Sequence, residues 1–180
     1  RVAGADLVPA VAARAATTGQ RVMFFGGAGD SARQAATLLR ERHCGLDIVS
    51  GTGSVEVDGS APSAVIDHIR EVSPDILCVG LGHPKQERFI RRYAGELSIP
   101  VAMGTGATFE FICGSRARAP RWMQRSGLEW LHRLVTDFKR LSRRYVHDAR
   151  VFLPAVWAQR KVAGPTGAPS SLSPPLDVAG

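Results

Sequence analysis

The sequence has little of what metalloproteins, disulfide-rich secreted proteins and membrane-spanning proteins need. Its three cysteines, Cys44, Cys78 and Cys113, have neither metal-ligand spacing nor the even number of a disulfide framework. A reducing, cytoplasmic setting is therefore expected. No run of about 18 apolar residues is present, and no signal peptide opens the chain. A Ser/His/Asp constellation, a metal cluster and an Asp-x-Asp motif are also missing, so we expect neither a cofactor nor a metal.

Positive charge is in excess, and it is unevenly distributed. The 180 residues include 23 Lys and Arg against 16 Asp and Glu, a net charge of +7. Residues 114–161 hold twelve of the basic residues but only three of the acidic ones. Such a region favours an anionic partner, either nucleic acid or an anionic membrane surface. Because no aromatic stacking surface or RNA-binding motif accompanies it, we expect no nucleic acid.

Short apolar runs alternate with helical periodicity through residues 1–126. The first helical pattern begins at about Leu7, with Asp6 as its predicted cap. Each apolar run is followed at once by glycine; the runs cover residues 21–25, 46–50, 76–79 and 100–103. This alternation predicts an α/β domain with a Rossmann-like open parallel sheet and helices on both faces.

The remainder of the chain predicts a basic helical C-terminal appendage and a tail. An amphipathic pattern from Gly127 to about Tyr145 predicts a long helix within an appendage at residues 127–161. Pro, Gly and Ser dominate residues 162–180, which predicts disorder. The basic side chains could form an ordinary solvated face. Phosphate or lipid-headgroup binding is the other interpretation, because no acid balances the arginines before the helix: Arg116, Arg118, Arg121 and Arg125.

The glycines after the strands predict a binding crevice. In open α/β sheets, ligands bind beyond the carboxyl ends of the strands. Residues 27–32 match a G-x-G-x-x-A dinucleotide pattern, although a generic tight turn explains them equally well. No acid ends the second strand near Ser50 to bind an NAD ribose, which favours a mononucleotide or nucleotide sugar. The predicted substrate-binding residues of these turns are Gly26, Gly27, Ala28, Gly82, Gly104 and Gly106.

Residues 80–88 predict a strand end, a glycine turn and a helix start. Pro84 fits the first helical position, which places Lys85 and Gln86 in a first turn where the helix dipole would stabilise a phosphate. An exposed helix start with routine capping is the alternative. Glu110, just past the last glycine turn, could accept a hydrogen bond from a base or sugar, or could be a solvated loop carboxylate.

Five segments form an ordered set from Arg1 to about Arg160: RVAGADL, FFGGA, GLGHPKQER, GTGATFEF and RAPRWMQRSGLEW. Together they resemble the WecG/TagA/CpsF glycosyltransferase family, for which the PKQE and RWMQ segments are specific. The resemblance implies transfer of an N-acetylmannosamine-type sugar, or its uronic acid form, from a UDP-sugar donor to a polyprenyl-diphosphate-linked sugar acceptor. The transfer would invert the anomeric centre without a bound metal, at the cytoplasmic face of the plasma membrane, in cell-surface polysaccharide or teichoic acid linkage synthesis.

The resemblance also implies roles for individual residues. Arg1 resembles an active-site arginine near the diphosphate, and Gln86 resembles the polar residue beside the transferred sugar. Glu110 stands where the family usually has an Asp that reads the uracil. Three arginines resemble those of a C-terminal appendage that closes over the active site at the membrane and neutralises the diphosphate: Arg133, Arg140 and Arg143.

The sequence departs from the family pattern at two points. The family's proposed catalytic base is an Asp upstream of the Arg1 segment, where this chain does not extend, so we expect the isolated chain to bind UDP-sugar but turn over poorly. Gly53-Ser54-Val55 replaces the common Gly-Tyr-Phe, so an aromatic platform for the base is expected to be missing. The alternative function is a non-catalytic nucleotide-binding or membrane-surface module. Whether the chain forms a homo-oligomer is left open.

Overall fold

The computed structural model describes residues 3–120 and residue Met123. Nearly all of them belong to the first of the two units into which the chain divides, which ends at Arg118. The domain limits predicted at residues 127 and 162 lie outside the described residues, and so does the helix predicted from Gly127.

Four strands and five helices alternate along the described residues. The strands are β1 (Val22–Gly26), β2 (Ile48–Gly51), β3 (Ile76–Gly80) and β4 (Val101–Gly104). The helices are α1 (Gly4–Thr18), α2 (Ser31–Arg42), α3 (Ser63–Val72), α4 (Lys85–Tyr93) and α5 (Thr108–Ile112).

The strands form one parallel sheet in the order β2-β1-β3-β4. The chain leaves β1 toward β2 on one side and then crosses to β3 on the other, which makes the β1/β3 junction the switch point of the sheet. In the register, Gly26 pairs with Gly80, Phe25 with Gly51, and Val79 with Gly104. The glycine ends of all four strands therefore lie level at one edge, as the predicted open parallel sheet requires.

Alternation along β1 divides the core into two layers. Val22 and Phe24 are buried among residues of α1, α2 and α5, whereas Met23 and Phe25 are buried among residues of α3 and α4. Phe24 stacks on Phe109 with ring centroids 4.5 Å apart. Helices thus cover both faces of the sheet, which confirms the predicted fold class.

Two predicted helix starts were wrong by a short distance. Asp6 does not cap α1, because the carbonyl of Ala3 already accepts the backbone N–H groups of Asp6 and Leu7, each at 2.9 Å. The Asp6 carboxylate instead lies in the first turn and pairs with Arg118 at 2.6 and 2.7 Å. Pro84 is the residue before α4 rather than its first residue, and a cis peptide bond joins it to His83.

The short helix α5 was not predicted. It begins after the Gly104–Gly106 turn, where the Thr108 hydroxyl donates to the carbonyl of Thr105 at 2.6 Å. Phe109, on this helix, is fully buried against β1. Glu110 is consequently fixed on a helix and is not a solvated loop carboxylate. Within the described part of the chain, none of the helices combines the length and apolar character needed to cross a bilayer.

Candidate functional site

The turn between β1 and α2 lies at the switch point of the sheet. Gly27 donates its backbone N–H to the carbonyl of Gly80 at 3.0 Å, which joins this turn to the end of β3. Its φ of +87° favours glycine, and a Cβ there would overlap the hydroxyl of Ser31, the first residue of α2. The turn therefore brings backbone close to the positive end of a 12-residue helix, an arrangement that stabilises anions.

Glu110 connects α5 to this turn. Its Oε1 accepts the backbone N–H of Ala28 at 3.2 Å. Its Oε2 is buried and has no hydrogen-bond partner among residues 3–120 and Met123. Leaving a buried polar atom unpaired costs about 1–3 kcal/mol, more when the group is charged. An unpaired carboxylate oxygen beside a glycine turn is therefore well suited to accept a hydrogen bond from a ligand.

The hydroxyl of Ser31 is a second polar group at the same place. Ser31 is 3% exposed, and its Oγ also lacks a partner within the described ranges. Ser31 was not among the site residues predicted from the sequence. The signal that could have found it is its spacing, four residues after Gly27 at the start of α2.

Gln86 joins the turns that follow β3 and β4. It is only 8% exposed, and its Oε1 accepts the backbone N–H of Gly106 at 3.0 Å. Its Nε2 donates to Glu87 Oε1 at 3.0 Å. A Cβ on Gly104 would lie 2.6 Å from that same Nε2, so the side chain packs directly on the end of β4. The structure therefore brings together Gln86, Gly104 and Gly106, which were predicted as site residues from separate segments.

Lys85 and Gly82 flank Gln86 in the β3–α4 segment. The Lys85 ammonium donates to the carbonyl of Val55 at 2.9 Å, in the loop between β2 and α3. This gives Lys85 a structural partner, and its role in binding a phosphate stays a prediction. Gly82 lies in the turn after β3, beside the switch point.

The loop after β2 contains Gly53-Ser54-Val55, the segment where an aromatic platform is expected to be missing. Val55 is 6% exposed and packs in the core layer formed by α3 and α4. Arg88 and Arg92 of α4 also hold this loop, through the carbonyl of Val57 at 2.8 Å and the carboxylate of Asp58 at 3.3 Å. The apolar side chain at this position therefore contributes to the core in this chain.

Some predicted site residues lie outside the described residues. They are Arg1, Arg121, Arg133, Arg140 and Arg143. Their contributions to phosphate or membrane binding stay predictions. Among residues 3–120 and Met123, no group of three His, Cys, Asp or Glu side chains is arranged to hold a metal ion.

Comparison with known proteins places the chain in a family. A family model described as "Glycosyl transferase WecG/TagA/CpsF family" matches residues 1–165. Two relatives from Staphylococcus aureus, strains NCTC 8325 / PS 47 and COL, are named N-acetylglucosaminyldiphosphoundecaprenol N-acetyl-beta-D-mannosaminyltransferase. Each is 27% identical over 143 residues, which cover 79% of this chain and 55% of the relative. The chain thus spans a little over half the length of these curated relatives.

Proposed function

The chain belongs to the WecG/TagA/CpsF glycosyltransferase family, and from this premise we propose that it transfers an N-acetylmannosamine-type sugar from UDP to a lipid-linked amino sugar. The names of the relatives describe a mannosaminyl transfer to N-acetylglucosaminyldiphosphoundecaprenol. The observation that carries the proposal is the position of Glu110, whose carboxylate contacts the β1–α2 turn at the switch point of the sheet and has one buried, unpaired oxygen.

Glu110 is the group that would recognise the nucleotide base. The Ala28 N–H fixes Oε1, which leaves Oε2 to accept a hydrogen bond from the ligand. The N3–H of uracil is a donor and matches an ionised carboxylate, whereas N3 of cytosine is an acceptor and would be repelled by it. The proposed site therefore prefers a uridine nucleotide to a cytidine nucleotide.

The start of α2 would hold the diphosphate. Its backbone N–H groups and dipole favour negative charge, and the buried Ser31 hydroxyl can donate a hydrogen bond. During transfer, the acceptor hydroxyl attacks the anomeric carbon from the face opposite UDP, and the bond to the leaving diphosphate breaks. A preorganised donor that meets the growing charge is worth about 3 kcal/mol, or roughly 10²-fold to 10³-fold in rate.

Gln86 would contact the transferred sugar. Its amide nitrogen has two hydrogens, and one of them is used by Glu87 Oε1. The second hydrogen is suited to a sugar hydroxyl at the ends of β3 and β4. Because Gly106 fixes the amide oxygen, the orientation of this donor is set before the substrate binds.

We further propose that the chain acts peripherally at the cytoplasmic face of the plasma membrane. Residues 114–161 hold twelve basic and only three acidic residues, and this positive charge supports attraction to anionic lipid headgroups. Cosedimentation with anionic vesicles at low salt, lost at high salt and absent with neutral vesicles, is the expected result. Binding that does not depend on vesicle charge would contradict the membrane proposal.

Calorimetry with UDP and CDP tests the nucleotide site. We expect UDP to bind at least about 10-fold more tightly, because one charge-assisted hydrogen bond contributes about 1.5–3 kcal/mol. Glu110→Gln should remove most of this preference. Glu41→Gln is the matched control, because Glu41 is an exposed carboxylate of α2, and it should leave the preference for UDP unchanged. Equal affinity for UDP and CDP in the unaltered chain would contradict the proposal that Glu110 recognises the base.

Release of UDP from UDP-N-acetylmannosamine in the presence of a lipid-linked N-acetylglucosamine acceptor tests the reaction itself. Gln86→Ala should lower the rate while UDP, which lacks the sugar, binds as before. Binding of UDP without any transfer, unaffected by Gln86→Ala, would instead favour the non-catalytic nucleotide-binding module.

A further inference from the structure

A series of polar contacts begins at the β4–α5 turn and ends on an exposed imidazole. Gly106 donates its N–H to Gln86 Oε1 at 3.0 Å, and Gln86 Nε2 donates to Glu87 Oε1 at 3.0 Å. The other carboxylate oxygen, Glu87 Oε2, lies 3.3 Å from Nδ1 of His83. One carboxylate therefore contacts two side chains of the β3–α4 segment, Gln86 and His83.

The carboxylate also selects the tautomer of His83. An ionised carboxylate only accepts hydrogen bonds, so the contact favours the tautomer with the hydrogen on Nδ1, in which Nε2 of the neutral ring carries a lone pair. Burial raises the pKa of Glu87, but a hydrogen bond from Gln86, a backbone N–H and the contact with His83 together lower it more, so the pKa of the carboxyl is held below its usual value. Glu87 accordingly remains an acceptor at neutral pH.

His83 is placed to meet a ligand. It lies in the turn that leaves β3 at the switch point, and its side chain is 56% exposed. Through Glu87 it is connected to Gln86, the residue that would contact the transferred sugar. A fixed lone pair at this edge of the sheet suits a donor such as a sugar hydroxyl.

We propose that Glu87 is a positioning residue that keeps the Gln86 amide on Gly106 and orients His83 so that Nε2 accepts a hydrogen bond from a hydroxyl group of a sugar substrate. This inference rests on the proposed function, because the ligand is the sugar of either the donor or the acceptor. His83 touches the substrate, and Glu87 acts through His83 and Gln86.

The tautomer of His83 tests the positioning role without any activity measurement. At about pH 9, above the titration range of an ordinary imidazole, the ¹⁵N NMR spectrum of the chain should contain an Nδ1–H ring that is lost in His83→Asn. Glu87→Gln keeps the size of the side chain but can place an amide N–H against Nδ1, so the ring should change to the Nε2–H form. Glu71→Gln, an exposed acid on α3, is the matched control. An unchanged His83 tautomer in Glu87→Gln would overturn the positioning role.

Binding and transfer then test the contact with substrate. We expect Glu87→Gln and His83→Ala each to lower kcat/KM for transfer at least 10-fold, and the double variant to lose little more, because both remove one contact. UDP affinity should change less than 2-fold. A loss of affinity for UDP-N-acetylmannosamine would assign the hydroxyl to the donor, whereas a loss in transfer alone would assign it to the acceptor.

The outcomes separate this inference from the proposed function. If the unaltered chain bound no UDP, the proposed function would fail and the sugar contact with it, whatever the tautomer of His83. If the unaltered chain bound UDP-sugar and transferred it, but His83→Ala did so equally well, only the sugar contact would be overturned. Unfolding in urea should give the same midpoint for His83→Ala and the unaltered chain, which excludes a folding defect as the cause of a lost contact.

Discussion

Substitution of Gly104 by alanine should destabilise the chain through one identifiable contact. The added Cβ would lie 2.6 Å from Gln86 Nε2 and 2.9 Å from the carbon of the amide, whereas ordinary van der Waals contact begins at about 3.4 Å. The amide cannot move away freely, because it is held by the N–H of Gly106 and by Glu87. The contact can be relieved only if the side chain of Gln86 leaves its hydrogen bonds or the end of β4 shifts.

The expected cost follows from these two alternatives. A lost buried hydrogen bond costs about 0.5–1.5 kcal/mol, and forcing an extra methyl group into a packed contact costs about 1–3 kcal/mol. We therefore expect Gly104→Ala to lower the free energy of unfolding by about 2–4 kcal/mol, measured by urea denaturation with circular dichroism. Gly95→Ala is the matched control, since no atom lies within 4 Å of its Cβ position, and it should change the free energy by less than about 0.5 kcal/mol.

A double-mutant cycle makes the reasoning refutable. In a Gln86→Ala background the amide is gone, so Gly104→Ala should cost less than about 1 kcal/mol there. If Gly104→Ala cost the same with and without Gln86, the contact between the two residues could not be the cause. Equal losses in Gly104→Ala and Gly95→Ala would likewise refute the steric argument.

Three further predictions concern other parts of the described unit. Phe109→Ala removes a fully buried ring that stacks on Phe24 of β1, and it should lower the free energy of unfolding, measured in urea, by about 3–5 kcal/mol. A loss below about 1 kcal/mol would contradict this expectation. The hydrogen bond from Arg118 lowers the pKa of Asp6. The ionised Asp6 carboxylate therefore stabilises the fold above the unfolded pKa of about 3.9, and this stabilisation is lost as pH falls through the folded pKa. Asp6→Asn should accordingly reduce the pH dependence of the free energy of unfolding in acid, measured by urea denaturation. Burial raises the pKa of Cys78 to about 12, so a thiol reagent at about pH 8 should label exposed Cys44 in the native chain but label Cys78 only after unfolding.

The sequence was sufficient for the fold class, for a physical reason. Parallel strands buried on both faces are short continuous apolar runs, and their carboxyl ends need small residues where the backbone turns into a helix. Residues 21–25 and 76–79 have this pattern, and they became the two central strands β1 and β3. The PKQE and RWMQ segments were likewise sufficient to indicate the family.

The helix boundaries and the short helix α5 were harder to predict from the sequence. Five residues are too few to show helical periodicity, so nothing in the sequence distinguished α5 from a loop. The cap of α1 was misplaced because Asp6 is a good capping residue locally, yet its carboxylate pairs with Arg118, 112 positions away along the chain. A partner at that separation is created only by the fold.

By itself, the sequence determined that this is a parallel α/β domain with glycine turns at one sheet edge, and which residue types are available there. The tertiary structure alone decided which of those residues meet. Glu110 reaches Ala28 across 82 positions, and Gln86 reaches Gly106 across 20, because strand order and register bring their turns to one edge. Local propensity is encoded in neighbouring residues, whereas these contacts depend on the packing of α5 and α4 against the sheet, and that packing exists only in the folded chain.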